Sequence, residues 1–303
     1  MSGLAPLDNA ARQPLLDEDF LARVERLSLL SRATLTGRIR GTRRSRRRGF
    51  STEFADHRDY VPGDDLRYLD WNIFGRLDRL FIKLFEEEED LTVCLLLDRS
   101  LSMDTGSPNK FRYARQVAAA LAYIALGTDD RVGVYPFDGS MGAPFKPVRG
   151  RRNALRLIRW LADLEPGSGT NLVESLTSFA SATPGRGVVI LISDLLDPAG
   201  YTDALRVIAG RKADVHLIHV LSPQELDPTV AGDVRLLDLE DGGAVEVSIN
   251  PRILATYRRT VEEFREGVRQ ACSRFSITPI LTSTELPFDT LVLDYLRSRR
   301  IIG

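Results

Sequence analysis

Beyond residue 90, short aliphatic runs alternate with segments of helical spacing. This order predicts an α/β fold whose doubly wound, mainly parallel sheet is covered on both faces. The runs lack the apolar–polar alternation of a half-exposed sheet, as central strands do. Ahead of them, residues 35 to 90 mix Gly and Arg with turn-forming residues, which predicts a small β-rich subdomain.

The elements follow in chain order. Asp17-Glu18-Asp19 precedes Phe20, Leu21, Val24, Leu27 and Leu30, a helical spacing whose acidic start suits the positive end of the helix dipole. Residues 1 to 34 therefore read as an extension carrying one helix. Pro62-Gly63-Asp64-Asp65 demands a turn within the polar stretch from His57 to Trp71, and Trp71 is expected to be an apolar plug there. Arg79 to Phe85 alternates as a strand before the acidic run Glu86 to Asp90.

Leu91 to Leu97 reads as the first strand of the main sheet, followed by a helix from Lys110 to about Leu126 and a strand from Arg131 to Phe137. Ala154 to Leu164 and Asn171 to Ala182 are predicted helices. Val188 to Ile192 and Val215 to Val220 are predicted central strands separated by the helical segment Tyr201 to Ala213. Val234 to Leu239 and Ala244 to Ile249 flank Glu240-Asp241-Gly242-Gly243, a hairpin signal. This insertion, within residues 223 to 250, is expected to pair with strands of the 35 to 90 region. Pro251 suits a first helical position and opens a helix to about Phe275; Ile277 to Leu281 is the last strand, and Phe288 to Arg297 the closing helix. Residues 91 to 222 and 251 to 303 thus form the main domain.

A chain of 303 residues with 43% hydrophobic composition can bury a large core, and its length fits one main domain with an appendage. The 41 basic and 42 acidic residues nearly cancel, so the overall balance argues for neither a nucleic-acid nor an anionic-membrane partner. Cys94 and Cys272 lie far apart without a CxxC spacing, which points to structural thiols rather than a disulfide framework or a zinc site. The start lacks a basic segment and an apolar core of a secretory signal, and Val117 to Leu126 falls far short of the roughly 20 residues of a membrane span. A reducing, cytoplasmic location is expected.

The strand Leu91 to Leu97 runs into Asp98-Arg99-Ser100-Leu101-Ser102, which puts one carboxylate and two hydroxyls on alternate residues of a turn. Gly167-Ser168-Gly169-Thr170-Asn171 offers a further hydroxyl ahead of a helix, and the strand Val188 to Ile192 ends in Ser193-Asp194. In open α/β sheets ligands gather beyond the carboxyl ends of parallel strands, where all three segments belong. Asp98, Ser100, Ser102, Thr170 and Asp194 are therefore candidate ligands of a metal ion. An oxygen-only set favours Mg²⁺, or Mn²⁺, over zinc or copper. Three hydroxyls and two carboxylates leave the ion underfilled, open to a carboxylate from another protein. Asp-x-Ser-x-Ser alone is a weak signal, and its ordinary alternative is that the serines cap the next turn and Asp194 caps a helix. The strand-end placement and the two downstream partners make the joint pattern specific.

These five residues resemble, position by position, the metal-ion-dependent adhesion site of the von Willebrand factor A fold. The stretch from Gly49 to Glu87, with His57-Arg58-Asp59-Tyr60-Val61-Pro62-Gly63-Asp64-Asp65 and Asp70-Trp71-Asn72, is similar to the hallmark of the bacterial family called domain of unknown function 58. Ser283-Thr284-Glu285-Leu286-Pro287-Phe288 is similar to that family's closing segment, and the resemblance covers about residues 35 to 303. It implies a bacterial, non-enzymatic protein–protein interaction module that works with a MoxR-type AAA+ ATPase, or its client, in chaperone-like assembly or maturation. One departure is Asn171, where family members often carry an acidic residue.

Other clusters carry competing readings. Arg38, Arg40, Arg43, Arg44, Arg46, Arg47 and Arg48 could meet phosphates, but no aromatic residue interleaves them, which disfavours a nucleic-acid platform against a basic segment facing Glu86 to Asp90. Arg58, Asp64, Asp65, Arg67 and Asp70 could do acid–base work, though mutual pairing that locks the turn is the stronger reading. His216 and His219 are expected on opposite faces of their strand, and Arg99 is free to meet an acidic partner, a phosphate or solvent. A metal-dependent phosphohydrolase is the alternative activity; against it, Ser100 stands where a second carboxylate is wanted.

Overall fold

The structure is a computed structural model that describes residues 18–38, 54–62, 64–85, 92–183, 186–229, 232–237 and 243–298. The chain divides into two compact units, one of residues 1–32 and 91–303, the other of residues 33–90. It opens with α1 (Glu18–Arg38), followed by β1 (Phe54–Asp59), α2 (Trp71–Leu77) and β2 (Phe81–Phe85). The larger unit continues through β3 (Thr92–Asp98), α3 (Lys110–Gly127), β4 (Arg131–Phe137), β5 (Phe145–Arg149), α4 (Ala154–Ala162), α5 (Leu172–Ala182) and β6 (Gly187–Ser193). Then come α6 (Thr202–Ala209), β7 (Ala213–Leu221), the single turn α7 (Pro223–Leu226), β8 (Gly232–Leu237), β9 (Ala244–Ile249), α8 (Pro251–Arg274), β10 (Thr278–Ser283) and α9 (Phe288–Ser298).

Six strands form the main sheet in the order β10-β7-β6-β3-β4-β5, all parallel except the β4–β5 edge pair. Period-two side chains divide this sheet between two cores. Leu95, Leu97, Val134, Ile190, Ile192, Ile218 and Val220 face a cluster with α1, α3, α4 and α9. Cys94, Leu96, Tyr135, Phe137, Val189, Leu191 and Leu217 face α5, α6 and α8. The sheet is thus an α/β, doubly wound arrangement with helices on both faces. From β3 the chain adds β4 and β5 on one side, then crosses back to add β6, β7 and β10 on the other. That reversal makes the crevice between the ends of β3 and β6 the topological switch point.

Two elements depart from expectation. Phe145–Arg149 forms the antiparallel edge strand β5; its Pro147 is tolerated because an edge strand needs to donate on one side only. In the smaller unit Asp70 caps α2 where a polar turn was expected, and Trp71 is 65% exposed rather than a plug. The hairpin expected within residues 223 to 250 is present, as is a strand pair in the 35 to 90 region. Among the described residues β8 pairs with β9 alone and β1 with β2 alone, each hairpin satisfying its own inner hydrogen bonds. The arginines from 40 to 48, the acidic run 86 to 90 and the turn residues 240 to 242 lie outside the described residues.

The polar stretch of the smaller unit is internally paired. Arg58 bonds Asp64 (2.6 Å), Asp64 accepts the Val61 amide (3.0 Å), and Asp65 accepts both the Arg67 amide and its guanidinium. His57 Nε2 lies 2.9 Å from Asp70 Oδ2, and Lys83 lies 3.5 Å from the same oxygen. These carboxylates serve the turn and the helix cap. In the main sheet, His216 meets the Tyr295 ring of α9 while His219 meets the Phe264 ring of α8, on opposite faces as their spacing requires. Among the described residues no helix is long and apolar enough to cross a membrane.

Candidate metal centre at the strand ends

Asp98 is the last residue of β3 and is fully buried. Its Oδ1 accepts the Ser100 amide at 2.9 Å, and its Oδ2 accepts the Ser193 hydroxyl, which comes from the end of β6, at 2.5 Å. The first bond folds the chain into a tight turn; the second ties the two neighbouring strand ends together. Ser100, also fully buried, places its Oγ 3.0 Å from Ser102 Oγ. Ser102 opens a single 3₁₀ turn, Ser102–Asp104, whose N-cap is Leu101 with no side-chain cap bond, so capping is not what these hydroxyls do.

Asp194 follows β6 and is fully buried. The next residue, Leu195, is buried in the left-handed region at φ 58°, a conformation costly for a non-glycine residue. Its amide is held by Ser193 Oγ (2.8 Å), while Asp194 Oδ1 accepts the Leu196 amide (3.1 Å). The other Asp194 oxygen receives the buried Lys110 ammonium at 2.8 Å, and this ammonium also bonds Glu225 Oε1. Behind the turn, His219 Nε2 meets the Asp194 carbonyl at 2.9 Å, and burial lowers its pKa to about 4, so the imidazole is neutral there.

Thr170 is half-buried in the loop before α5, and the backbone on either side of it is anchored. The Gly167 amide donates to the Arg99 carbonyl (2.6 Å), and the Asn171 amide donates to the Asp138 carbonyl (3.2 Å). Asn171 then caps α5 through its side chain, which accepts the Glu174 amide. Asp138, just past β4, is the anchor: it pairs with Arg99 (2.7 Å), and its carbonyl accepts the Ser175 hydroxyl. Arg99 is thereby committed to Asp138 rather than free.

The structure thus joins Asp98, Ser100 and Ser102 by direct contacts and sets Asp194 close enough for its charge to act on Asp98. The loop that carries Thr170 is tied to Arg99 and Asp138 by the backbone amides of Gly167 and Asn171. Ser193, Asp138, Lys110 and Glu225 contact these residues or the loop beside them and were not singled out from the sequence. Lys110 had a legible signal, because a lysine at the first residue of a helix opposes the dipole unless a carboxylate waits for it.

Among the described residues no group of three or more His, Cys, Asp or Glu side chains is arranged to hold a metal ion, so a cation here would rest on the Asp98 and Asp194 carboxylates together with hydroxyls. All the donors are oxygens, and each carboxylate oxygen retains a lone pair beyond its present hydrogen bond. Asp98 is pushed above the usual carboxylate range, first by burial and then by the Asp194 charge. The carboxyl groups of Asp98, Asp194 and Glu225 outnumber the one lysine in this cluster, an excess of acidic groups that a dication would offset.

The fold and site define a class: an α/β protein with a mostly parallel six-stranded sheet and an oxygen-lined cluster at its switch point. The profile of the family described as "Protein of unknown function DUF58" matches residues 56–267, and the chain belongs to that family. An uncharacterized protein of Mycobacterium bovis is 26% identical over 289 residues, covering 94% of this chain and 91% of that protein, and an uncharacterized protein of Mycobacterium tuberculosis matches with the same figures. Among solved structures, the conserved hypothetical protein BatB from Bacteroides thetaiotaomicron matches with a TM-score of 0.46 and 17% identity, covering 69% of this chain and 99% of that one.

Proposed function

We propose that this chain is a non-enzymatic module of the von Willebrand factor A type, whose Mg²⁺-dependent rim grips an acidic residue of a partner protein. On this reading it works with a MoxR-type AAA+ ATPase in the assembly or maturation of client proteins. The observation that carries the binding site is the meeting of the Asp98-Ser100-Ser102 turn with Asp194 at the ends of adjacent strands. The ATPase partnership rests on the family resemblance.

Asp98, Ser100 and Ser102 are the residues that would hold the ion, with Thr170 on the facing loop and Asp194 supplying charge from behind. The bound ion supplies residual positive charge and exchangeable positions that a carboxylate can take. The chain's own residues do the rest. Ser193 fixes the Asp98 carboxylate, Asp138 and Arg99 anchor the loop before α5, and the β3–β6 pairing sets the two strand ends side by side. Binding is favoured over phosphohydrolysis because the nearby basic groups are already engaged: Lys110 is paired with two carboxylates, and His219 is buried behind the Asp194 carbonyl.

The test is a pull-down from native bacterial lysate with the tagged wild-type chain in Mg²⁺, the same chain in chelator, and Asp98→Ala in Mg²⁺. A partner retained only in the first arm is expected. Equal retention by folded Asp98→Ala contradicts the reading.

A further inference from the structure

We propose that the Lys110 ammonium is a resident counter-ion filling a second cation position at the strand edge, so that the rim accepts a single divalent ion. This rests on the reading of Asp98, Ser100 and Ser102 as that ion's ligands. The Lys110 side chain has no exposed surface, and its Nζ stands 2.8 Å from Asp194 Oδ2 and in bonding contact with Glu225 Oε1. A buried lysine at the first residue of a helix faces both desolvation and the positive end of the dipole, and the two carboxylates are what offset those costs.

Glu225 is built into place rather than resting there. Its Oε2 accepts the Ser222 amide (2.7 Å) while the Glu225 amide donates to Ser222 Oγ (3.3 Å), the capping box of α7, and Oε2 also accepts the Ser222 hydroxyl (3.0 Å). The α7 turn is in turn clamped to the loop beyond Ser102: Ser107 and Gln224 exchange hydrogen bonds of 3.0 and 2.8 Å. A Cβ on Gly106 would stand 2.5 Å from Ser222 Cβ, so only glycine admits this approach. Asp194 and Glu225 therefore converge on one point, and Lys110 occupies it. Two hard carboxylate oxygens at such a point otherwise suit Mg²⁺ or Mn²⁺. With the lysine present, three carboxylates and one ammonium leave a formal charge that one dication neutralises.

The experiment counts Mn²⁺ ions per chain by equilibrium dialysis with electron paramagnetic resonance, for the wild-type chain and for Lys110→Ala purified in Mn²⁺. One ion in the wild type and two in Lys110→Ala are expected. An equal count in both overturns the proposal: one and one leaves the Asp98 site standing, while none in either removes both. None in the wild type and one in the variant upholds the counter-ion role and removes the Asp98 site. Should Lys110→Ala not fold, Glu225→Gln keeps the lysine and deletes one negative charge. It is expected to weaken Mn²⁺ binding about tenfold or more, and unchanged affinity overturns the proposal.

Discussion

Asp98 has no exposed surface and Asp194 lies beside it, so ionising Asp98 costs more in the folded chain than in the unfolded one. Its folded pKa rises to about 7, against roughly 3.9 for an unfolded aspartate. The folded state therefore holds a proton that the unfolded state releases across that window, and the metal-free chain loses stability as pH rises from about 4 to about 7. Asp98→Asn removes this cost. In chelator at pH 8 the variant is expected to melt several degrees above the wild type, and to gain nothing from Mg²⁺; a lower melting temperature counts against the buried-charge account. Gly167 makes a second residue-scale prediction. A Cβ there would stand 2.0 Å from Asp138 Oδ2 and 2.7 Å from Asp138 Cβ. Gly167→Ala is expected to cost about 1–3 kcal/mol and to weaken Mg²⁺ binding by displacing the Thr170 loop, which paired thermal and calorimetric titrations read.

Among the elements, α2 depends on one carboxylate. Asp70 accepts the Asn72 and Ile73 amides as N-cap, and its bond to His57, ahead of these amide bonds and the Lys83 charge, lowers its pKa to about 2. The sign is opposite to that of Asp98. Its contribution is fully present above about 4 and is lost as pH falls toward 2. Amide exchange of Asn72 and Ile73 is expected to quicken in that window. Asp70→Asn, which keeps a capping oxygen, should flatten the pH dependence; an unaltered profile contradicts this role. In the main sheet Gly187 starts β6 at φ 113°, where an added Cβ would meet the Thr92 carbonyl at 2.2 Å. Gly187→Ala is expected to lower stability by roughly 2–3 kcal/mol in denaturant melts. Elements whose cause is local were legible: the aliphatic runs of β3, β4, β6 and β7, and the Pro251 helix start. The strand β5 was not, because Phe145 is its only buried residue and Pro147 interrupts its pattern. Nor was α2, whose Asp70 cap is one of several acidic residues in a polar stretch that also holds Asp59, Asp64 and Asp65.

At the scale of the whole molecule, the sheet order was beyond the sequence, because neighbours such as β3 and β6 meet only after the β4–β5 excursion. The candidate site was legible where its donors sit on strand ends and a glycine loop, positions that doubly wound sheets reserve for ligands. What was missed is the charge balance behind it. Lys110 meets Asp194 and Glu225 across separations of 84 and 115 residues, and no local pattern announces a pair that distant. Asn171 shows the reverse case: where the resemblance led us to expect an acidic residue, the fold uses the side chain as a helix cap. The most direct measurement is the melting temperature of the wild-type chain and of Asp98→Ala at pH 8, in chelator and in saturating Mg²⁺. A ligand at about 100 times its dissociation constant adds about 2.7 kcal/mol, or roughly 5–10 °C for a domain of this size. The account predicts that gain in the wild type and its absence in Asp98→Ala; the same melting temperature for the wild type with and without Mg²⁺ contradicts it.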